Sequence, residues 1–142
     1  MNYSIIVPLY NESNNIKNLH DEIIAITDTL KENRSFELIY IDDGSSDDTF
    51  DIIKKFEKKK INIKILKNKR NLSQSTSIFN GLENSEYENI IMLDGDGQND
   101  PKDLINMIKK YEEGYDLVHG YRKKRKDNFI LKTLPSLVAN FF

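Results

Sequence analysis

Three short apolar runs, each stopped by a cluster of acidic or amide residues, constrain this chain more than any other feature. Ser4-Ile5-Ile6-Val7-Pro8-Leu9 gives way to Asn11-Glu12, and Glu37-Leu38-Ile39-Tyr40-Ile41 to Asp42-Asp43-Gly44-Ser45-Ser46. Asn89-Ile90-Ile91-Met92-Leu93 gives way to Asp94-Gly95-Asp96-Gly97. Continuous apolar runs of this length read as buried strands. Between the first two, residues 14 to 32 carry Ile16, Leu19, Ile23, Ile26 and Leu30 at helical spacing. Residues 49–59 do the same with Phe50, Ile53 and Phe56, with Asp47 or Asp48 as the cap. Ile61–Leu66 alternates as another strand, 74–85 reads as a helix, and Asp100-Pro101 opens a further helix as cap and first-turn proline. Tyr115–Gly120 reads as a fifth strand. Strands alternating with helices predict an α/β fold with an open, mostly parallel sheet and flanking helices. In such sheets ligands bind beyond the carboxyl ends of the strands, which is where the polar clusters fall.

Composition narrows the chemistry. The 142 residues are enough for one domain with a real core. The absence of Cys excludes disulfide scaffolds, thiol catalysis and cysteine-ligated zinc. With His20 and His119 the only histidines, a multi-histidine metal site is not expected. No basic leader or cleavage site opens the sequence, and no stretch reaches the roughly 20 apolar residues of a membrane span. The expectation is therefore a cytoplasmic domain. Lys58-Lys59-Lys60 reads as solvated surface. Residues 117–142 hold six Lys or Arg and one Asp, a net +5, which leaves 15 basic and 22 acidic residues and a net −7 for 1–116. A cationic tail on an acidic body points to an anionic partner for the tail.

Asp94-Gly95-Asp96 can aim two carboxylates at one hard cation, with glycine letting the backbone come close. Magnesium or manganese held there would neutralise the charge of a departing diphosphate. Read alone, the same triplet is also a turn with two solvated acids. Asp42-Asp43 can accept hydrogen bonds from a base or a ribose, or simply form a turn before a helix. His119 at a strand end reads as a packed or partner-bonded histidine. Arg122 and Arg125, in the run Arg122–Lys126, suit phosphate because a guanidinium fork matches its oxygens. After that run, Phe129, Ile130, Leu134, Leu137, Val138, Phe141 and Phe142 recur at roughly helical spacing around Pro135, which would divide the segment.

Taken together, the Ser4–Glu12, Asp42–Thr49 and Leu93–Pro101 motifs, in this order and over nearly the whole chain, resemble family 2 glycosyltransferases of the GT-A, Rossmann-like fold. Gly97–Pro101, the basic run and Leu134-Pro135-Ser136 resemble the branch of dolichyl-phosphate mannosyltransferase-like enzymes and undecaprenyl-phosphate sugar transferases. The resemblance implies an inverting, metal-dependent hexosyl transfer from a nucleotide-diphosphate sugar to a polyprenyl phosphate. It implies a nucleotide pocket of Pro8, Tyr10, Asn11, Glu12, Asp42, Asp43, Asp94 and Gly95, and a Mg²⁺ or Mn²⁺ site of Asp94, Asp96 and Gln98. Asp96, Arg122 and Arg125 would serve the transfer itself, the arginines on phosphate.

The same resemblance divides the chain into a catalytic domain at 1–128 and an amphipathic segment at 129–142, lying along the cytoplasmic face of a membrane as the start of a truncated region. Branch members commonly continue into transmembrane helices, so a separate membrane-spanning partner or a homo-oligomer is the corresponding expectation, and no nucleic acid. The Glu-Asp and Gln-x-x-Arg-Trp elements of many hydroxyl-acceptor members are absent from these residues. A lipid phosphate is already anionic and needs no general base, whereas a sugar hydroxyl does. Alternatives are a GT-A transferase acting on a saccharide hydroxyl, a receiver-like domain, and a truncated, non-catalytic nucleotide-binding domain.

Overall fold

The computed structural model describes residues 1–56, 61–97 and 100–120. Along them run β1 (Asn2–Leu9), α1 (Ile16–Leu30), β2 (Ser35–Asp42), α2 (Thr49–Ile53), β3 (Asn62–Lys67), α3 (Gln74–Glu83), β4 (Asn89–Met92) and α4 (Asp103–Glu112). The strands form one sheet in the order β3-β2-β1-β4, and all its pairs are parallel. Because successive side chains leave a strand on opposite faces, β1 feeds two cores. Tyr3, Ile5, Val7 and Leu9 join the apolar stripe of α1 with Ile53 of α2 and Leu104 and Ile108 of α4. Ile6 joins Ile39 and Ile41 on the other face. There α3 lies so close that a Cβ on Gly81 would sit 2.6 Å from Ile6 Cγ2. Each buried Ile or Leu contributes about 1.5–3 kcal/mol.

Polar groups close the edge of the sheet away from the polar clusters. Glu37 in β2 is fully buried and accepts from Ser4 Oγ at 2.5 Å and the Glu86 N–H at 2.6 Å, with Lys64 Nζ 3.1 Å away. Burial raises its pKa, but these partners outweigh burial and hold it below the ordinary carboxylate range. Arg34 forks onto Glu112 at 2.7 and 2.6 Å, and Tyr3 donates to the same carboxylate, which ties α4 to the start of β1.

Four expectations change. Tyr115–Gly120 is not a strand: it contributes only Leu117 and Val118 as aliphatic residues, Leu117 is 81% exposed, and no strand of the sheet pairs with it. Instead, residues 116–119 form the far wall of a groove of about 180 Å³ beside β4. His119 is accordingly exposed rather than packed. Helix α2 stops at Ile53, well short of 59, leaving Phe50 and Phe56 only partly buried. Helix α4 starts at Asp103, because Asp100 and Pro101 instead form a preceding turn in which Asp100 Oδ1 accepts the Lys102 N–H. Gln98, Arg122, Arg125 and the segment 129–142 lie outside the described residues. Among the described residues no helix is long and apolar enough to cross a membrane.

His20 of α1 is buried, its ring stacked 3.8 Å from that of Phe56 and its Nδ1 3.0 Å from the Tyr40 hydroxyl. Burial lowers its pKa, only partly offset by Asp21. A group whose pKa is lower in the folded than in the unfolded state binds protons preferentially when unfolded. Its contribution is therefore complete above the unfolded value of about 6.5 and is lost as pH falls toward the folded value. Urea unfolding at pH 7.5 and pH 5.5 is expected to show a loss of stability on acidification that is smaller in His20→Gln; an equal loss in both proteins would remove His20 as its source.

Candidate active site

The ladder of the sheet continues for one hydrogen bond past each strand, and those bonds assemble the site. The Asp43 N–H reaches Leu9 O at 2.8 Å, the Asn68 N–H reaches Asp42 O at 2.8 Å, and the Leu93 N–H reaches Ile6 O at 3.0 Å. The chain therefore leaves β1, β2, β3 and β4 along one edge. Ile6 bonds toward β4 and Leu9 toward β2, so the parity of the strand turns Pro8 toward β4, where the ladder is ending. A proline without an N–H is accommodated there in an otherwise central strand. The segment after β4 then crosses over the end of β1, and a Cβ on Gly95 would lie 2.4 Å from Leu9 Cδ2 and 3.0 Å from Pro8 O. Glycine is required by that crossing.

A cleft of about 350 Å³ opens at this edge, lined by Pro8, Leu9, Tyr10, Glu12, Asp43, Asn71, Gln74, Asp94, Gly95 and Asp96. Seven residues singled out in the sequence thus line one cleft: Pro8, Tyr10, Glu12, Asp43, Asp94, Gly95 and Asp96. Asn11 and Asp42 are not in it. Asn11, with φ of 57°, accepts the Ser46 N–H on its side-chain oxygen at 2.8 Å and donates its own N–H to Ser45. It stitches two loops together. Asp42 is fully buried, with Oδ1 3.4 Å from the Ser45 N–H and Oδ2 without a hydrogen-bond partner among the described residues. Asp47 fastens the same two loops, accepting from the Ser13 and Thr49 N–H groups and from Thr49 Oγ1. Burial raises its pKa, but Thr49 and Ser13 outweigh burial and bring it down to about 2.

Asp43 carries more bonds than its place in a ligand pocket suggests. Its carboxylate accepts from Asn68 Nδ2 at 2.7 Å, the Leu72 N–H at 3.0 Å and the Ser73 N–H at 3.1 Å. Burial raises its pKa, yet Asn68, the two backbone donors and Ser77 together hold it below the ordinary range. A carboxylate offers about four lone-pair sites, so three are already engaged by the loop 68–73. That loop and the first residue of α3 supply two polar cleft residues the sequence reading missed, Asn71 and Gln74. The signal was available, since Asn68–Gln74 is the polar stretch following β3 at the same edge as the other clusters.

Among the described residues, no three His, Cys, Asp or Glu side chains converge as a metal cage. Two carboxylates in the lining, Asp94 and Asp96, nevertheless fit the way magnesium is commonly held, by one or two carboxylates with the remaining positions taken by substrate phosphates and water. The donor set suits a cation that arrives with a diphosphate better than one that resides in the protein.

Residues 4–141 match the family model described as Glycosyl transferase family 2. A dodecaprenyl-phosphate galacturonate synthase of Rhizobium johnstonii is 34% identical over 97% of the chain and 41% of its own length. An undecaprenyl-phosphate 4-deoxy-4-formamido-L-arabinose transferase of Shewanella sediminis is 37% identical over 96% and 41%. An uncharacterized glycosyltransferase of Bacillus subtilis, YkcC, is 33% identical over 92% and 40%. The chain thus spans about two fifths of the length of these curated relatives. Among solved structures, the 1–349 piece of TarS from S. aureus superposes with a TM-score of 0.62 at 23% identity, covering 89% of this chain and 40% of that one. That likeness establishes the fold.

Ser73 holds the loop in place at a conformational cost. Its φ of 116° and ψ of 155° belong to a region that is essentially glycine's, and such strain costs about 1–3 kcal/mol. Its hydroxyl caps α3 by accepting the Thr76 N–H at 3.4 Å, and replacing such a cap by glycine costs only a few tenths of a kcal/mol. Ser73→Gly is therefore expected to raise the unfolding free energy by about 1 kcal/mol in chemical denaturation; a net destabilisation would contradict the strain.

Proposed function

The chain belongs to glycosyl transferase family 2, and from that premise we propose that it moves a sugar from a nucleoside-diphosphate donor to a polyprenyl phosphate with inversion at the anomeric carbon. The observation that carries the reading is the single cleft into which three strand ends bring Tyr10 and Glu12, Asp43, and the Asp94–Asp96 pair. Its two ends differ in chemistry. Tyr10, with 47% of its surface exposed, gives a planar face beside the β1–β2 end, where a base or ribose would lie. Asp94 and Asp96 mark the other end, where a divalent cation would bridge to the diphosphate and neutralise the leaving charge. The named activities of the Rhizobium and Shewanella relatives support a polyprenyl-phosphate acceptor.

In the proposed transfer an acceptor phosphate oxygen attacks the anomeric carbon and forms the new C–O bond. The bond from that carbon to the diphosphate breaks, and its electron pair leaves with the nucleoside diphosphate. The acceptor is already ionised, so no side chain must remove a proton. What the chain's residues supply is placement: the strand ends hold the donor in one orientation, which is where much of the barrier reduction in such displacements arises. Arg122 and Arg125 would add guanidinium forks to phosphate oxygens, and 129–142 would rest on the membrane surface from which the lipid is drawn.

Calorimetric titration with UDP and with GDP tests the donor half of the proposal. Binding is expected with Mg²⁺ or Mn²⁺, to be lost in EDTA and in Asp94→Asn or Asp96→Asn. Equal affinity with and without EDTA would remove the cation from the proposal. Transfer assays offering a short-chain polyprenyl phosphate beside a saccharide acceptor test the other half. Product on the lipid phosphate is expected, and product on the sugar hydroxyl alone would favour a hydroxyl-acceptor transferase.

A further inference from the structure

The segment Asn71–Gln74 is a strap between Asp43 and Asp94 of the cleft, and its placement is over-determined. Beneath it, Gly44 (φ 72°) leaves no room for a side chain: a Cβ there would sit 2.4 Å from the Arg70 carbonyl carbon and 2.7 Å from Asn71 N. The strap's own N–H groups, from Leu72 and Ser73, are both taken by Asp43. Behind it, Asn68 donates to Asp43 and to Ser77 Oγ at 3.0 Å and accepts from Asn80 Nδ2 at 3.0 Å, which locks the first two turns of α3 to the ends of β2 and β3. The strained backbone of Ser73 persists inside this frame. What emerges from the frame is Gln74, the first residue of α3, whose Nε2 lies 2.9 Å from Asp94 Oδ1. The amide nitrogen donates and the carboxylate oxygen accepts.

Gln74 is exposed, so burial of its side chain does not account for so constrained a strap. We infer that Gln74 is a positioning residue that holds the Asp94 carboxylate in one orientation for the cation and diphosphate, with the strap as its support. The inference rests on the donor-binding reading above. Groups that orient a ligating carboxylate commonly change metal affinity by about 10–100-fold when removed. A single exposed amide belongs at the lower end, so about tenfold is expected. The strap would also make Asp43 matter for the cation end, since that carboxylate holds the backbone from which Gln74 projects.

The test is calorimetry with Mn²⁺ plus UDP and Mn²⁺ plus GDP on the full chain, comparing wild type with Gln74→Met and Gln74→Glu. Gln74→Met keeps the length of the side chain without its donor; Gln74→Glu keeps the shape but sets two carboxylates against each other. Both are expected to weaken cation-dependent nucleotide binding about tenfold or more, Glu at least as much as Met, with the thermal midpoint unchanged to within a few degrees. A spectroscopic readout separates positioning from scaffolding: the ¹H–¹⁵N pair of the Gln74 amide should shift when Mg²⁺ and nucleotide are added, and that shift should vanish in Asp94→Asn. If wild type binds neither nucleotide with Mn²⁺, the donor-binding reading falls and takes this inference with it. If wild type binds and Gln74→Met binds equally, the inference alone falls.

Discussion

Parallel register is the constraint on which the rest of this structure depends. Leu9 pairs with Asp42, Asp42 with Lys67, and Ile6 with Met92, and one further backbone bond beyond each pairing carries the chain out on the same side. In a parallel sheet a shift of one residue would turn Ile5, Ile6 and Val7 to the wrong faces, so the core itself fixes the register. The same register decides which side chains reach the cleft. Tyr10, Asp43, Asn71 and Asp94 are neighbours because four strands end together, although as many as 84 positions separate the first from the last.

Not every polar residue at that edge faces outward. Asn11, Asp47 and much of the capacity of Asp43 are turned to the protein, closing loops that would otherwise fray. This division of labour has a physical logic. Loops that carry a ligand site need their own backbone groups satisfied, or the cleft would collapse into whichever hydrogen bonds were nearest. Asp43 satisfies two N–H groups of the strap at once; burial raises its pKa, but Asn68 and these backbone donors outweigh burial and hold it below the ordinary range. The acidic edge is therefore partly scaffold, while Asp94, Asp96 and Glu12 line the cleft.

The alternation of apolar runs and helical stripes was legible in the sequence down to the five residues of the α1 face, all of which are buried. So were the strand ends, because Asp-Asp-Gly and Asp-Gly-Asp interrupt runs too apolar to be anything but strands. Side-chain direction was not legible. Local pattern cannot say that Asn11 points to Ser46 or that Asp42 points into the protein, since both depend on loops more than 30 residues away or on burial set by the sheet. The strap was missed because its polar residues follow a strand without forming a recognisable acidic motif. Tyr115–Gly120 misled for the opposite reason: a short apolar pattern resembles a strand, but a strand exists only where a neighbour offers its ladder.

The proposed function stands or falls on whether the carboxyl edge of the sheet binds a nucleoside diphosphate. Amide chemical-shift mapping on ¹⁵N-labelled chain, with Mg²⁺ and UDP or GDP added stepwise, tests it most directly. Saturable shifts are expected, confined to the backbone around Tyr10–Glu12, Leu72–Gln74 and Asp94–Asp96, with the Glu37–Lys64 edge unchanged. Shifts centred on that opposite edge or in the groove beside β4, or no saturable shift with either nucleotide, would contradict it.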